Sequence, residues 1–152
     1  MTDRTRADAG LLALRVALGT IFFLHGWEKL FGGGLSFVSQ MLEIVGWAFP
    51  AWLLFAVALV ELFGGLALIV GYGARLAAGI LAVEMVLVVI LFHARQGFFI
   101  DTVPSAPLAY GFEFHVALVG GLICTGLAGP GGLRLSPGHR SDGDTAEDSS
   151  GE

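Results

Sequence analysis

The chain has 152 residues, enough for one compact domain; 55% of them are hydrophobic and only 14% are charged. A soluble domain has roughly 45–50% apolar and roughly 25% charged residues, so this composition excludes an ordinary soluble protein and indicates membrane insertion. The formal net charge of −5 arises largely from five acidic residues that follow Arg140. Because the rest of the chain is close to neutral, no nucleic acid partner is expected.

Four apolar segments are candidates for membrane spans, since a hydrocarbon core of about 30 Å takes about 20 helical residues. These segments are residues 10–31, 51–71, 76–93 and 112–129. The pattern predicts an all-α integral membrane protein whose residues 1–134 form an antiparallel four-helix bundle embedded in the lipid bilayer.

The distribution of basic residues predicts the orientation, because Lys and Arg are enriched on the cytoplasmic side of membrane proteins. Only Lys29 and Arg95 fall on the outer side. Both termini are therefore expected in the cytoplasm, which agrees with an even number of spans. The six basic residues on the inner side are Arg4, Arg6, Arg15, Arg75, Arg134 and Arg140.

The connections between the spans differ in character. The glycines of residues 71–75 predict a tight turn that makes the second and third spans antiparallel neighbours. Residues 35–45 have apolar positions at helical spacing, which predicts a short amphipathic helix in the outer interface. Residues 98–111 contain prolines and are interpreted as a loop that could act as a lid. Residues 135–152 are polar and acidic, and are expected to form a disordered tail.

Small residues recur every fourth position on the third and fourth spans, which lets membrane helices approach closely. The pattern is interpreted as packing within the bundle, with a homodimer face as the alternative. The residues concerned are Ala74, Ala78 and Ala82 on the third span and Ala117, Gly121, Thr125 and Gly129 on the fourth.

Ionisable side chains interrupt the apolar segments, each at a cost of at least about 2.5–3.5 kcal/mol on insertion scales. They are expected to face the protein interior. Helical rise places Arg15 and Glu61 roughly 7–8 Å apart along the membrane normal, which predicts a buried ion pair. Glu84 and His115 receive no role. A polar pocket is predicted in the outer half of the bundle, lined by His25, Glu61, His93 and Glu113 and tuned by Arg15 and Lys29.

Four interpretations of these polar residues remain open. The side chains of His25, His93, His115 and Glu113 at the outer end suggest a metal or haem site, but no H-x-x-x-H or H-E-x-x-H spacing occurs, so no metal is expected. Alternatively, imidazole and carboxylate groups bind the head of a quinone and exchange protons with it. A third interpretation is that these groups only tie the helices together. A transport path is the fourth.

Six short motifs follow one another in order within residues 10–137. They are LRVALG at 14–19, LHGWEKLFG at 24–32, ELFGG at 61–65, GYGARLAA at 71–78, YGFE at 110–113 and GPGGL at 129–133. His93 closes the third span, and Ser136 follows the last motif. By this order and spacing the chain resembles the DoxX family of small four-helix membrane proteins from the bacterial inner membrane.

The resemblance implies a redox context. One branch of that family resembles subunits of a thiosulfate:quinone oxidoreductase, and another is associated with a superoxide dismutase and a sulfurtransferase under oxidative stress. Cys124 is the chain's single cysteine, so dithiol chemistry by this chain alone is not expected. The positions matching the family's polar pattern are Arg15, His25, Lys29, Glu61, His93 and Glu113.

The leading hypothesis is therefore a membrane subunit of a quinone-linked redox or oxidative-stress system in the bacterial plasma membrane. Soluble or membrane redox proteins would be its partners, and a quinone would occupy the polar pocket. The alternatives are a non-catalytic scaffold that recruits an enzyme and, less favoured by the residues, a small-molecule transporter.

Overall fold

A computed structural model of the chain describes residues 2–44, 46–94, 97–99 and 111–134. All regular elements within these ranges are helices, which confirms the prediction of an all-α protein there. The elements are α1 Asp3–Phe31, α2 Gly34–Ile44, α3 Ala51–Val70, α4 Ala74–Val88 with its π-helical continuation Val89–His93, and α5 Glu113–Ala128.

Three helices are long and apolar enough to cross a membrane, namely α1, α3 and α4 with its π-helical continuation; α5 is a shorter apolar helix of 16 residues. Only 22%, 22% and 17% of the most apolar stretches of the three long helices are buried inside the protein. Large apolar side chains therefore face outward, as Leu76 (71% exposed) and Leu127 (78%) do. Apolar surface on this scale requires cover by lipid.

Helix α1 begins at Asp3, seven residues before the first predicted span. The side chain of Thr2 caps it by accepting a hydrogen bond from the N–H of Thr5, and Asp3 lies favourably in the positive first turn. The apolar pattern located only the membrane part of this helix, because its first turns are polar. We call the end of the molecule where α1 begins and α3 ends the near end, and the opposite end the far end.

Helices α1 and α3 pack more closely than any other pair, and glycines make this possible. A Cβ at Gly19 would lie 2.6 Å from the carbonyl oxygen of Gly65, and a Cβ at Gly26 would lie 2.7 Å from that of Ala58. Both distances are shorter than real carbon–oxygen contacts, so only glycine permits this separation. Close backbone approach of this kind is a common source of dispersion energy between membrane helices.

The turn between α3 and α4 has the predicted form. Gly71 ends α3 with a φ of 84° and Gly73 precedes α4 with a φ of 65°, values that favour glycine. The two helices leave this turn as packed neighbours, as predicted.

Most small residues of the predicted set on α4 and α5 lie at helix contacts, whereas Ala117 is exposed. Ala78 and Thr125 are fully buried, and Gly121 faces the side chains of Leu14 and Leu18 on α1. These positions confirm packing within the protein. The alternative of a homodimer face stays a prediction.

The predicted amphipathic stretch at residues 35–45 is helix α2, Gly34–Ile44, which contacts α1 and α3. Its Leu42 is buried, while Phe37 and Ile44 are 63% and 75% exposed. The tail at 135–152 and most of the predicted lid at 98–111 lie outside the described residues.

Candidate functional site

Lys29 of α1 and Glu61 of α3 form an ion pair inside the far half of the molecule. The Glu61 side chain is only 3% exposed and that of Lys29 is 19% exposed. The ammonium group thus offsets the cost of placing a carboxylate at membrane depth. The pair also connects the two helices that glycines bring together.

The predicted ion pair between Arg15 and Glu61 is wrong. Arg15 is fully buried at the near end, where it donates hydrogen bonds to the carbonyl oxygens of Leu68 (2.9 Å) and Leu133 (2.5 Å). Gly26 packs against the turn of α3 that carries Glu61. Glu61 therefore lies level with Gly26, which is eleven residues from Arg15, or roughly 16 Å along the axis of α1. That distance is too long for Arg15 and Glu61 to make contact.

Glu84 of α4 adds a second carboxyl group to the ion pair, with which it interacts electrostatically. One ammonium group cannot neutralise two carboxylates, so the fully ionised cluster has a net charge of −1. Among the described residues, neither oxygen of Glu84 has a hydrogen-bond partner of good geometry, and Oε2 of Glu61 has none either. Buried acceptors without partners are costly and commonly mark positions where a proton or a ligand binds.

A cavity of about 380 Å³ lies beside this cluster, between α2, α3 and the far part of α4. Its volume falls within the usual range for small-molecule sites, and a mostly apolar wall with a few polar groups is typical of them. The polar lining side chains are Lys29, Glu84 and His93. The apolar lining residues are Val38, Met41, Leu42, Phe49, Leu53, Leu54, Val57, Leu87, Val88, Leu91 and Phe92.

His93 and His115 connect the cavity with α5. Their ring centroids are 4.5 Å apart, and His115 also interacts electrostatically with the exposed His25 of α1. His93 is the last residue of the π-helical turn, whose wider coil changes the direction of this side chain relative to a regular α-helix. Such turns occur frequently at functional sites.

Glu113 lies in the first turn of α5, half-buried, at the far end. Its backbone N–H donates to the carbonyl oxygen of Phe98 (2.9 Å), and the N–H of Phe112 donates to that of Gly97 (3.2 Å). These bonds hold residues 97–99 against the start of α5. Within the described ranges, no group of three His, Cys, Asp or Glu side chains is arranged to hold a metal ion.

The six residues predicted for the pocket thus take different places. Lys29 and His93 line the cavity, Glu61 is joined to it through Lys29, and Arg15 lies apart at the near end. A binding pocket formed by this set stays a prediction.

Sequence reasoning gave no role to Glu84 or His115, although both lie at the site. The signal for Glu84 was present, since a carboxyl group near the middle of an apolar span must have a partner or a task. The sequence placed His93 and His115 toward the outer ends of their spans, but their ring contact depends on how α5 packs against the π-helical turn.

Outward-facing apolar helices around a buried cluster of ionisable groups define an integral membrane protein with an intramembrane polar site. The chain belongs to the DoxX family, whose family model matches residues 10–94. It is 31% identical over 128 residues to "Inner membrane protein YqjF" of Escherichia coli K12, covering 84% of this chain and 90% of that protein.

A second relative is "Putative oxidoreductase CatD" of Bacillus subtilis 168. It is 28% identical over 130 residues, covering 86% of this chain and 87% of that protein. No solved structure matches the chain.

Proposed function

We propose that this protein is the quinone-binding membrane subunit of a redox system. The observation that carries the proposal is the cavity of about 380 Å³ with an apolar wall and three polar groups, Lys29, Glu84 and His93. The similarity to "Putative oxidoreductase CatD" supports a redox role over a purely structural one.

We further propose that α1, α3, α4 and α5 each cross the bacterial inner membrane, with both termini in the cytoplasm. The similarity to an inner membrane protein and the excess of basic residues at the near end support this topology. A reporter enzyme fused after Tyr72 should then be active only if it works in the cytoplasm. Activity of an exported reporter at that position would reject the orientation.

The polar groups of the cavity match the hydrogen-bonding needs of both quinone forms. The ammonium group of Lys29 has three donors, so its ion pair with Glu61 leaves donors for a quinone carbonyl oxygen. A quinol hydroxyl group can donate to Glu84, whose oxygens have no partner of good geometry among the described residues. His93 is a second group able to exchange a proton near neutral pH.

The electrons for the quinone reaction have to come from, or go to, a partner protein. Reduction of a quinone to a quinol takes up two electrons and two protons. Side chains at the cavity can transfer the protons, and a redox protein that docks to this subunit supplies the electrons. In the reverse direction the same protein accepts the two electrons.

Binding of a short-chain benzoquinone to the purified chain in nanodiscs tests the site. Replacing Glu84 by Gln removes a carboxyl group that can both exchange a proton and accept a hydrogen bond, and leaving a buried partner unsatisfied costs about 1–3 kcal/mol. We therefore expect E84Q to weaken binding of the reduced form by about tenfold or more, with a smaller effect on the oxidised form.

Glu43→Gln is the matched control. Glu43 lies on α2, which covers the cavity, but its side chain is exposed and does not line the cavity. Unchanged binding by E84Q, or an equal loss in E43Q, would reject the site. If E84Q and H93A instead lower only the abundance of the protein, the scaffold hypothesis is favoured.

A further inference from the structure

A second, polar pocket of about 580 Å³ lies at the near end of the molecule. Among the described residues, its charged lining side chains are those of Arg4, Arg75 and Arg134 and the carboxylate of Asp8. The three arginines come from different elements, namely the first turns of α1, the start of α4 and the segment that follows α5. These described lining residues therefore carry an excess of two positive charges.

The wall of this pocket is fixed by hydrogen bonds between α1 and residues 129–134. The carboxylate of Asp8 accepts a hydrogen bond from the N–H of Gly132 (2.8 Å), and Arg15 donates to the carbonyl oxygen of Leu133. A Cβ at Gly129 would lie 2.6 Å from Nε of Arg75, so that side chain packs directly on the segment. Arg75 and the segment that carries Arg134 are thus fixed beside the first turns of α1.

An apolar pocket of about 490 Å³ adjoins the polar one and shares Gly132 and Arg134 with it. The two pockets lie side by side at the end of membrane-length helices. The cationic pocket matches the charged headgroup of a lipid, and the apolar pocket matches its hydrocarbon tail. The apolar pocket is lined by Leu12, Ile69, Val70 and Leu133.

We propose that these adjoining pockets bind one anionic phospholipid. Guanidinium groups bind phosphate oxygens through paired hydrogen bonds, and the arginine pocket supplies three such groups for the headgroup phosphate. The apolar pocket takes the first part of an acyl chain. Basic pockets between helices at the membrane surface are known binding sites for anionic headgroups. A free phosphate ion would leave the apolar pocket empty, so the lipid is the better match.

The full chain, purified in detergent and depleted of lipid, can be titrated with phosphatidylglycerol and followed by native mass spectrometry. Each basic residue near a membrane surface contributes about 1 kcal/mol to anionic lipid binding. We expect R75Q or R134Q to weaken binding by about fivefold, and the double variant by about 25-fold.

Arg6→Gln is the matched control, because Arg6 lies in the same turns of α1 but does not line the pocket. It should bind phosphatidylglycerol as the unmodified chain does. Leu133→Ser keeps the backbone bond to Arg15 and should weaken binding of phosphatidylglycerol but not of inorganic phosphate. An equal loss of binding in R6Q, or equal affinity for phosphatidylcholine, would overturn the proposal. So would a chain that binds inorganic phosphate as tightly as phosphatidylglycerol and binds both equally well after L133S.

Discussion

The two ends of the molecule bury charged groups in different ways. At the near end, Arg15 donates to two backbone carbonyl oxygens, and only its Nε has no partner among the described residues. In the far half, Lys29 neutralises Glu61, and Glu84 lies beside this pair as a second carboxyl group that interacts with Glu61 and has a cavity next to it.

These two arrangements show that a buried ionisable side chain, which is costly in free energy, can serve either structure or binding. A buried charge whose hydrogen bonds are made within the protein holds helices and segments together, as Arg15 holds residues 129–134 against α1. A buried ionisable group without a hydrogen bond of good geometry, beside an empty volume, is available for a ligand or a proton, at a cost in stability. Three substitutions test this comparison, in order of their expected effect.

Replacing Lys29 by Met should have the largest effect, because it leaves the Glu61 carboxylate buried without its partner. Removing one member of a buried ion pair costs about 3–5 kcal/mol, so we expect the free energy of unfolding in detergent to fall by about 4 kcal/mol. Adding Glu61→Met should restore most of the loss. If K29M unfolds at the same denaturant concentration as the unmodified chain, the ion pair does not stabilise the fold.

Replacing Arg15 by Met should cost about 3 kcal/mol, because two hydrogen bonds from a charged donor are lost. In contrast to Lys29, Arg15 is paired with no carboxylate among the described residues. The double variant R15M/E61M should therefore show the sum of the two single effects to within about 0.5 kcal/mol, as for distant sites. A rescue of R15M by E61M would show that the two residues are coupled and that the near end is not independent.

Replacing Glu84 by Gln should have the smallest effect on stability and the opposite sign. The substitution replaces a buried carboxyl group beside the Glu61 carboxylate by an amide that cannot ionise, so we expect the free energy of unfolding to rise by about 1 kcal/mol. E43Q, on the exposed side of α2, should change it by less than about 0.5 kcal/mol. A clear loss of stability in E84Q would show that Glu84 stabilises the fold, as Lys29 and Arg15 do, and would contradict its assignment to the ligand site.

The sequence predicted the outline of the molecule because the relevant signals lie within each segment. Apolar stretches predicted α3, α4 and the membrane part of α1, and paired glycines predicted the turn at residues 71–75. The helix α1 extends seven residues before the predicted span, because its polar first turns depend on a cap at Thr2 and not on hydropathy.

The tertiary structure decided which charges meet. Periodicity places a side chain on one face of its own helix, but it does not give the offset between two helices. Here that offset is set by Gly19, Gly26 and Gly65 at the contact of α1 with α3. It brings Lys29 to Glu61 and leaves Arg15 roughly 16 Å along the axis from that carboxylate. The cavity beside Glu84 exists only because several helices surround it, so the residues of any one helix could not predict it.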